Sequence, residues 1–275
     1  MLVSGALAVL KIAAGIAGHS TAVVADGLES AADIFASGFV LLGLTLAAKP
    51  PDHDHPYGHG RVEILAGLMI GLGLAAGGAA ISYGALRHFG RTRMALAAFV
   101  IWPLAVSAAA KTGLAMTKLR IGRKIGSAAL TADAWNDTVD VLSALVAFIA
   151  VALALVDPAR FSNADRYGGF AVGLIVIFTG VRVAYGASLQ LMDTMPDDRL
   201  IRDIRRAATA VPGVRGVEKV YARKTGLHYH VDLHLEVDPE MSVRRSHQLA
   251  HEVRLHVMET LNWVADVLVH VEPAR

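Results

Sequence analysis

Two stretches of an otherwise apolar sequence carry carboxylates at helical spacing. One reads Ala25-Asp26-Gly27-Leu28-Glu29-Ser30-Ala31-Ala32-Asp33-Ile34, the other Ala132-Asp133-Ala134-Trp135-Asn136-Asp137-Thr138-Val139-Asp140-Val141. Each has Ala-Asp, an oxygen-bearing residue three positions later, an Asp four positions after that, and then a β-branched residue. At 100° per residue, Glu29 with Asp33 and Asn136 with Asp140 are i, i+4 pairs, each stacked on one helix face. Ionisable groups inside lipid cost on the order of 2.5 to 3.5 kcal/mol each, so their presence in a span points to function. Two such faces opposed offer four oxygen ligands to one desolvated divalent cation. Three carboxylates left around an empty site would have to take up protons, which couples metal release to protonation. The competing reading is that these acids cap helices, pair with basic residues or sit near the interface. Asp26, Asp133 and Asp137 read as water-lining or supporting groups.

A second cluster is Asp52-His53-Asp54-His55-Pro56-Tyr57-Gly58-His59-Gly60-Arg61, in which His55 and His59 flank a Pro-Tyr-Gly turn. A loop of His and Asp can capture a borderline cation such as Zn²⁺; alternatively its histidines cap helix ends or contact headgroups. The third cluster lies near the C-terminus. Strict alternation from His228 to Val237 puts His230, Asp232 and His234 on one strand face. His247 and His251 are i, i+4 on the following helix, and His270 alternates with Glu272 on the last strand. Regulatory metal binding competes here with a plain polar sheet face. His251-Glu252 followed by His256 has i, i+5 spacing, which does not fit a metalloprotease helix.

The elements that must position these groups follow from composition. Hydrophobic residues make up 54% and charged residues 18%, and the mean hydropathy is +0.47. The last 79 residues hold 24 of the 50 charged residues and seven of the twelve histidines, so the chain divides between lipid and water. With no cysteine, thiolate sites and disulfides are excluded. Apolar runs long enough to span lipid cover Met1 to Ala17, Thr21 to Ala48, Ile64 to Leu86, Met94 to Leu119, Ser127 to Val156 and Gly168 to Met192. The first reads as a span rather than a signal peptide. Gly67, Gly71, Gly73 and Gly77 suit close helix approach. Lys111 can snorkel, and Arg182 has no account from the sequence beyond pairing with an acid.

Six spans put both ends on one side, and Arg199, Arg202, Arg205 and Arg206 mark that side as cytoplasmic. Arg87, Arg91 and Arg93 run against this bias. The tail reads as αββαβ: a helix over 197–211, strands over 214–222 and 228–237, a helix over 242–261 and a strand over 264–271. The expected fold is thus an α-helical membrane domain of six transmembrane helices (1–193) plus a small cytoplasmic α/β domain (194–275), whose core is small enough to benefit from dimerisation or metal. The net charge of +2 supplies no argument for nucleic acid. No nucleophile with an adjacent base appears, so an enzyme is not expected.

Six spans, Xaa-x-x-x-Asp pairs in spans two and five, His55-Pro56-Tyr57-Gly58-His59-Gly60-Arg61-Val62-Glu63 before span three and an αββαβ tail together resemble a cation diffusion facilitator over essentially the whole chain. The resemblance implies a homodimer in the bilayer of the cell (inner) membrane, with a metallochaperone-like tail in the cytoplasm. It implies exchange of cytoplasmic divalent metal (Zn²⁺, Fe²⁺ or Mn²⁺) for external protons by alternating access. It also implies a transport site of Glu29, Asp33, Asn136 and Asp140, a loop site of Asp52, His55 and His59, and tail ligands including His234, His247, His270 and Glu272. Arg61 and Asp193 match a basic and an acidic residue that lock the spans near the dimer interface. Zinc members usually carry His or Asp in the place of Glu29 and His in the place of Asn136. The all-oxygen set here shifts preference toward Mn²⁺, Fe²⁺ or even Mg²⁺. Asn136 cannot take a proton, so protons must ride on the carboxylates. The alternative is a membrane-anchored metal-sensing or assembly protein that dimerises through its tail and transports little.

Overall fold

The computed structural model describes residues 2–87, 96–125 and 128–274, and the expectations on Arg91, Arg93 and the start at Met1 lie outside them. Six helices come first: α1 (Leu2–Ala17), α2 (Thr21–Ala47), α3 (Arg61–Arg87), α4 (Ile101–Ile125), α5 (Ala128–Val156) and α6 (Ala164–Leu191). A small α/β domain follows, with α7 (Asp198–Thr209), β1 (Gly216–Thr225), β2 (His228–Val237), α8 (Val243–Thr260) and β3 (Val264–Pro273). Two compact units form, Met1–Phe39 with Met69–Ala184 and Val40–Leu68 with Tyr185–Arg275.

Among the described residues, four helical stretches are long and apolar enough to cross a membrane: Arg61–Arg87, Ala98–Ile121, Asp137–Val156 and Ala164–Leu191. Helix α2 has the length, 27 residues, but its first half carries Asp26, Glu29 and Asp33. Helix α1 is only 16 residues long and holds Lys11. Phe35, Trp102, Ile149 and Phe178 stand exposed on these helices, as side chains bathed by lipid should.

Small residues dominate the contacts of the first unit. Ala22, Val23, Val100, Leu104, Ala147, Val151 and Val172 form one buried cluster that joins α2, α4, α5 and α6. Helices α3 and α6 touch backbone to backbone through Gly71 and Gly78 against Gly180 and Gly173. Of the four glycines singled out by sequence, only Gly71 belongs to this contact. Gly73 and Gly77 face open space, and Gly67 is in ordinary contact with Ala187. The repeat that works is i, i+7, because α3 and α6 meet over two turns.

The start of α2 is fixed by a side chain from α6. The buried Asp165 carboxylate accepts the Thr21 and Ala22 amides at 2.9 and 3.3 Å and the Ser20 and Thr21 hydroxyls at 2.5 and 2.6 Å. A carboxylate at a helix N-terminus satisfies orphan amides and complements the helix dipole. It also fixes the depth at which Glu29 and Asp33, two and three turns further on, can sit.

In the second unit β1 and β2 pair antiparallel and β2 and β3 parallel, in the order β1-β2-β3. A parallel pair needs a crossover, which α8 supplies. The inward set of β2, Val231, Leu233, Leu235 and Val237, is buried with Ile204 of α7 and Leu249, Val253 and Val257 of α8. Helices therefore cover one sheet face, and His230, Asp232, His234 and Glu236 lie on the other. The expected order αββαβ holds, with shifted ends. Strand β1 runs on to Thr225 because it stays paired to His228 around a Gly226-Leu227 turn, where Gly226 has φ +66°. Strand β3 runs to Pro273 because Val237 is its partner there.

Candidate metal centre

The buried carboxylates of α2 and α5 are held by lysines. Lys111, on α4, places Nζ 2.9 Å from Asp140 Oδ2 and 3.7 Å from Asp33 Oδ2. Its side chain is 11% exposed, so the expectation that it snorkels is corrected: the stem points inward, where two carboxylates compensate the ammonium. Seven residues along the same face, Lys118 Nζ is 2.6 Å from Asp137 Oδ2. Lys11 is fully buried in α1 and lies 2.7 Å from both Asp26 Oδ2 and Ser30 Oγ. Asp26 and Asp137 are therefore partners of lysines rather than water-lining groups. The expectation that only protons could neutralise the empty cluster is corrected likewise, since Lys111 supplies one positive charge within it.

Glu29 is tied to α5 by Ser143, whose hydroxyl donates to Oε1 at 2.9 Å. Ser143 lies one turn beyond Asp140 on the same helix face. The other oxygen, Oε2, is buried with no hydrogen-bond partner among the described residues. Glu29 is also the one ionisable group among the described residues lining a cavity of about 470 Å³ whose other walls include Leu28, Gly73, Leu74, Gly77 and Val176. Asp33 and Asp140 meet at Lys111, and Glu29 reaches the same stretch of α5 through Ser143, although Asp33 and Asp140 do not line that cavity. Asn136 lies one turn before Asp140 on α5, and its side chain is outside those described.

The loop between α2 and α3 forms its cluster from local hydrogen bonds. Asp52 Oδ1 accepts the amides of Asp54 and His55 at 3.1 and 2.7 Å and lies 3.1 Å from His55 Nδ1. Its Oδ2 is 3.4 Å from His59 Nε2, and the two imidazoles are 4.4 Å apart between centroids. One ligand atom from each of the three lies within 4.8 Å of the others, against roughly 3.3 Å between ligands on a tetrahedral ion with bonds of about 2.0–2.1 Å, so the triad would have to close slightly around an ion. Tyr57 packs edge-on to His230 at 5.8 Å and under the Arg223 guanidinium at 5.5 Å, which seats the loop on the β1–β2 hairpin. Arg61 Nη2 is 2.7 Å from Asp193 Oδ1, and both side chains are about half exposed. An isolated exposed pair of this kind contributes at most about 1 kcal/mol.

The His55 amide holds the Asp52 carboxyl below its usual range. Because the folded value is lowered, the turn's stabilisation is complete above the ordinary Asp value of about 3.9 and fades only as pH falls through the lowered one. Between pH 7 and pH 5 the turn should therefore keep its shape. Amide hydrogen exchange at His55 across that range checks this; protection lost by pH 5 would contradict it.

On the tail sheet, His234 Nδ1 is 2.5 Å from Glu272 Oε1, and His270 Nε2 is 3.7 Å from the same oxygen. The register aligns His234 with His270 and Glu236 with Glu272. The His234 hydrogen bond is the main reason the Glu272 carboxyl lies below its ordinary range. His247 does not join this group. It is exposed on α8, whose Leu249–Val253–Val257 stripe binds the opposite sheet face, so within one chain the sheet lies between them. His230 is also separate: it packs on Tyr57, and burial together with the Arg223 charge pushes it below the usual histidine range.

Sequence reasoning missed the inward role of Lys111 and the parts played by Lys118, Lys11 and Ser143. The available signal was spacing: Lys111 and Lys118 are i, i+7 on one helix, opposite an Asp137/Asp140 pair on another.

Comparison with known proteins bears on what this assembly is for. A model described as the cation efflux transmembrane domain matches residues 1–192, and one described as the cation efflux protein cytoplasmic domain matches residues 196–274. Metal tolerance protein 2 of Oryza sativa subsp. japonica is 30% identical over 96% of this chain and 74% of its own length. Manganese efflux system protein MneP of Bacillus subtilis (strain 168) is 29% identical over 96% of this chain and 90% of its own. Magnetosome protein MamB of Magnetospira sp. (strain QH-2) is 28% identical over 95% and 88%. A solved MamM-CTD structure covers 28% of this chain and 98% of its own, at 31% identity and a TM-score of 0.28. With both halves matched and relatives spanning nearly its full length, this multi-pass membrane chain with a cytoplasmic α/β domain belongs to the cation efflux, or cation diffusion facilitator, family of metal transporters.

Proposed function

We propose that the chain exports Mn²⁺ or Fe²⁺ from the cytoplasm across the cell membrane in exchange for protons, as a homodimer, with Glu29, Asp33, Asn136 and Asp140 as transport ligands. The observation that carries this reading is the meeting of Asp33, Asp140 and Lys111, with Asp140 and Lys111 largely buried and Asp33 about a third exposed, beside a Glu29 oxygen with no hydrogen-bond partner among the described residues. Carboxylate and amide oxygens suit harder cations, and no imidazole stands among these four ligands. A relative named for manganese efflux fits this ion class. The loop triad and the His234–His270–Glu272 group are read as further binding positions that hold metal at the cytoplasmic side and report its level to the dimer.

Proteoliposomes holding a pH dye and challenged in turn with Mn²⁺, Fe²⁺ and Zn²⁺ test the proposal. Mn²⁺ or Fe²⁺ should enter fastest, with opposite proton movement that scales with metal flux. Preference for Zn²⁺ would refute the oxygen-ligand argument. Metal flux without proton movement would refute exchange. Metal binding without any flux would favour the sensing or assembly alternative.

A further inference from the structure

The transport-site reading leaves unexplained why an ammonium group stands among its ligands. Resting on that reading, we infer that Lys111 is a resident counter-cation: it occupies the ligand carboxylates when cargo is absent, is displaced when the divalent cation binds, and returns to drive release.

The geometry requires a choice between the two cations. Lys111 Nζ already lies between Asp140 Oδ2 at 2.9 Å and Asp33 Oδ2 at 3.7 Å. A transition-metal ion on those oxygens needs contacts of about 2.0–2.2 Å, in the volume the ammonium fills. Two cations this close would also repel strongly in a poorly solvated site. The other acids are already committed. Asp26 is held by Lys11 and Asp137 by Lys118, whereas Asp33 and Asp140 share Lys111, and Glu29 is bonded to Ser143 one turn from Asp140. Three carboxylates, one divalent cation and one displaced ammonium that stays nearby sum to zero charge. Lysine suits this role better than arginine, because its compact charge sits on a flexible four-carbon stem that can withdraw without moving α4.

A tethered competitor weakens equilibrium binding and speeds unloading. The test uses the full-length protein in nanodiscs, with Mn²⁺ as probe. The transport-site component is defined as the binding that Asp140→Asn removes. If Asp140→Asn removes nothing, the site assignment itself fails, whatever Lys111 does. If it does remove a component, Lys111→Met should tighten that component by about tenfold or more and lower the maximal flux, as expected for removal of a competing charge at contact range. Lys111→Arg should restore the weaker affinity. Unchanged or weaker affinity in Lys111→Met would overturn the inference. A measurement on the unmodified protein guards against misfolding of the variants. Mn²⁺ should raise labelling of Lys111 by an amine-selective reagent, read by mass spectrometry, while Lys118 stays constant. Labelling that is unchanged or reduced by Mn²⁺ would likewise overturn it.

Discussion

Replacing Asp140 by Asn is expected to reduce metal flux about a hundredfold or more while the protein still folds and assembles. A change in a group that merely supports a ligand typically costs 10–100-fold in affinity or activity, so loss of a charged ligand should reach at least the upper end of that range. The fold is spared because the amide keeps the shape of the carboxylate and still accepts a hydrogen bond from Lys111, which keeps Asp33 as its charged partner. Asp140→Ala should behave differently. It removes the oxygen 2.9 Å from an 11%-exposed ammonium, and leaving that buried donor without its acceptor costs about 1–3 kcal/mol even with Asp33 still in place. The alanine variant should therefore lose both transport and thermal stability, and the asparagine variant only transport. Flux in proteoliposomes beside thermal unfolding in detergent separates them. Full flux in Asp140→Asn would remove Asp140 from the site, and equal stability of the two variants would remove the structural part of the argument.

That contrast also shows what could be read from the chain alone. Local periodicity was legible: the i, i+4 acids of α2 and α5, the alternating face of β2 and the αββαβ order each depend on residues close in sequence. The loop triad was legible for the same reason, since Asp52, His55 and His59 span less than three helical turns of chain. Partnerships between distant elements were not. Nothing in the run around Lys111 distinguishes a lysine that reaches outward to the interface from one that reaches inward to Asp140, because the choice depends on which side of α4 faces α5. His247 is the converse case. Its spacing from His251 suggests a ligand pair, but spacing cannot say which sheet face α8 covers, and the face it covers is the one without histidines. The site acids were identifiable one helix at a time, whereas their neutralisation depends on packing between helices.

Packing between helices is also where the largest stability effect should appear. Gly180→Leu is expected to abolish recovery of folded protein. A Cβ at Gly180 would meet the Gly71 carbonyl oxygen at 2.7 Å and Ala75 Cα at 3.0 Å, and a Cβ at Gly71 would meet the Gly180 oxygen at 2.8 Å. Seven residues away, about 10.5 Å along each helix, Gly78 and Gly173 repeat the arrangement, with the Gly173 oxygen 2.7 Å from a Cβ on Gly78. These obstacles are backbone atoms, which cannot rotate aside as a side chain does, so the helices must separate along the whole seam. In lipid no hydrophobic driving force opposes that separation, because association rests on close van der Waals contact and interhelical hydrogen bonds. Leucine's better helix propensity, worth about 1 kcal/mol over glycine, does not offset the loss of two crossing points. Gly186→Leu is the matched control, on the same helix at a position where an added Cβ meets nothing within 4 Å. Size-exclusion profiles and unfolding temperatures in one detergent decide the matter: Gly186→Leu should match the parent protein, and a Gly180→Leu variant equally stable would show that α3 and α6 do not depend on their glycine seam.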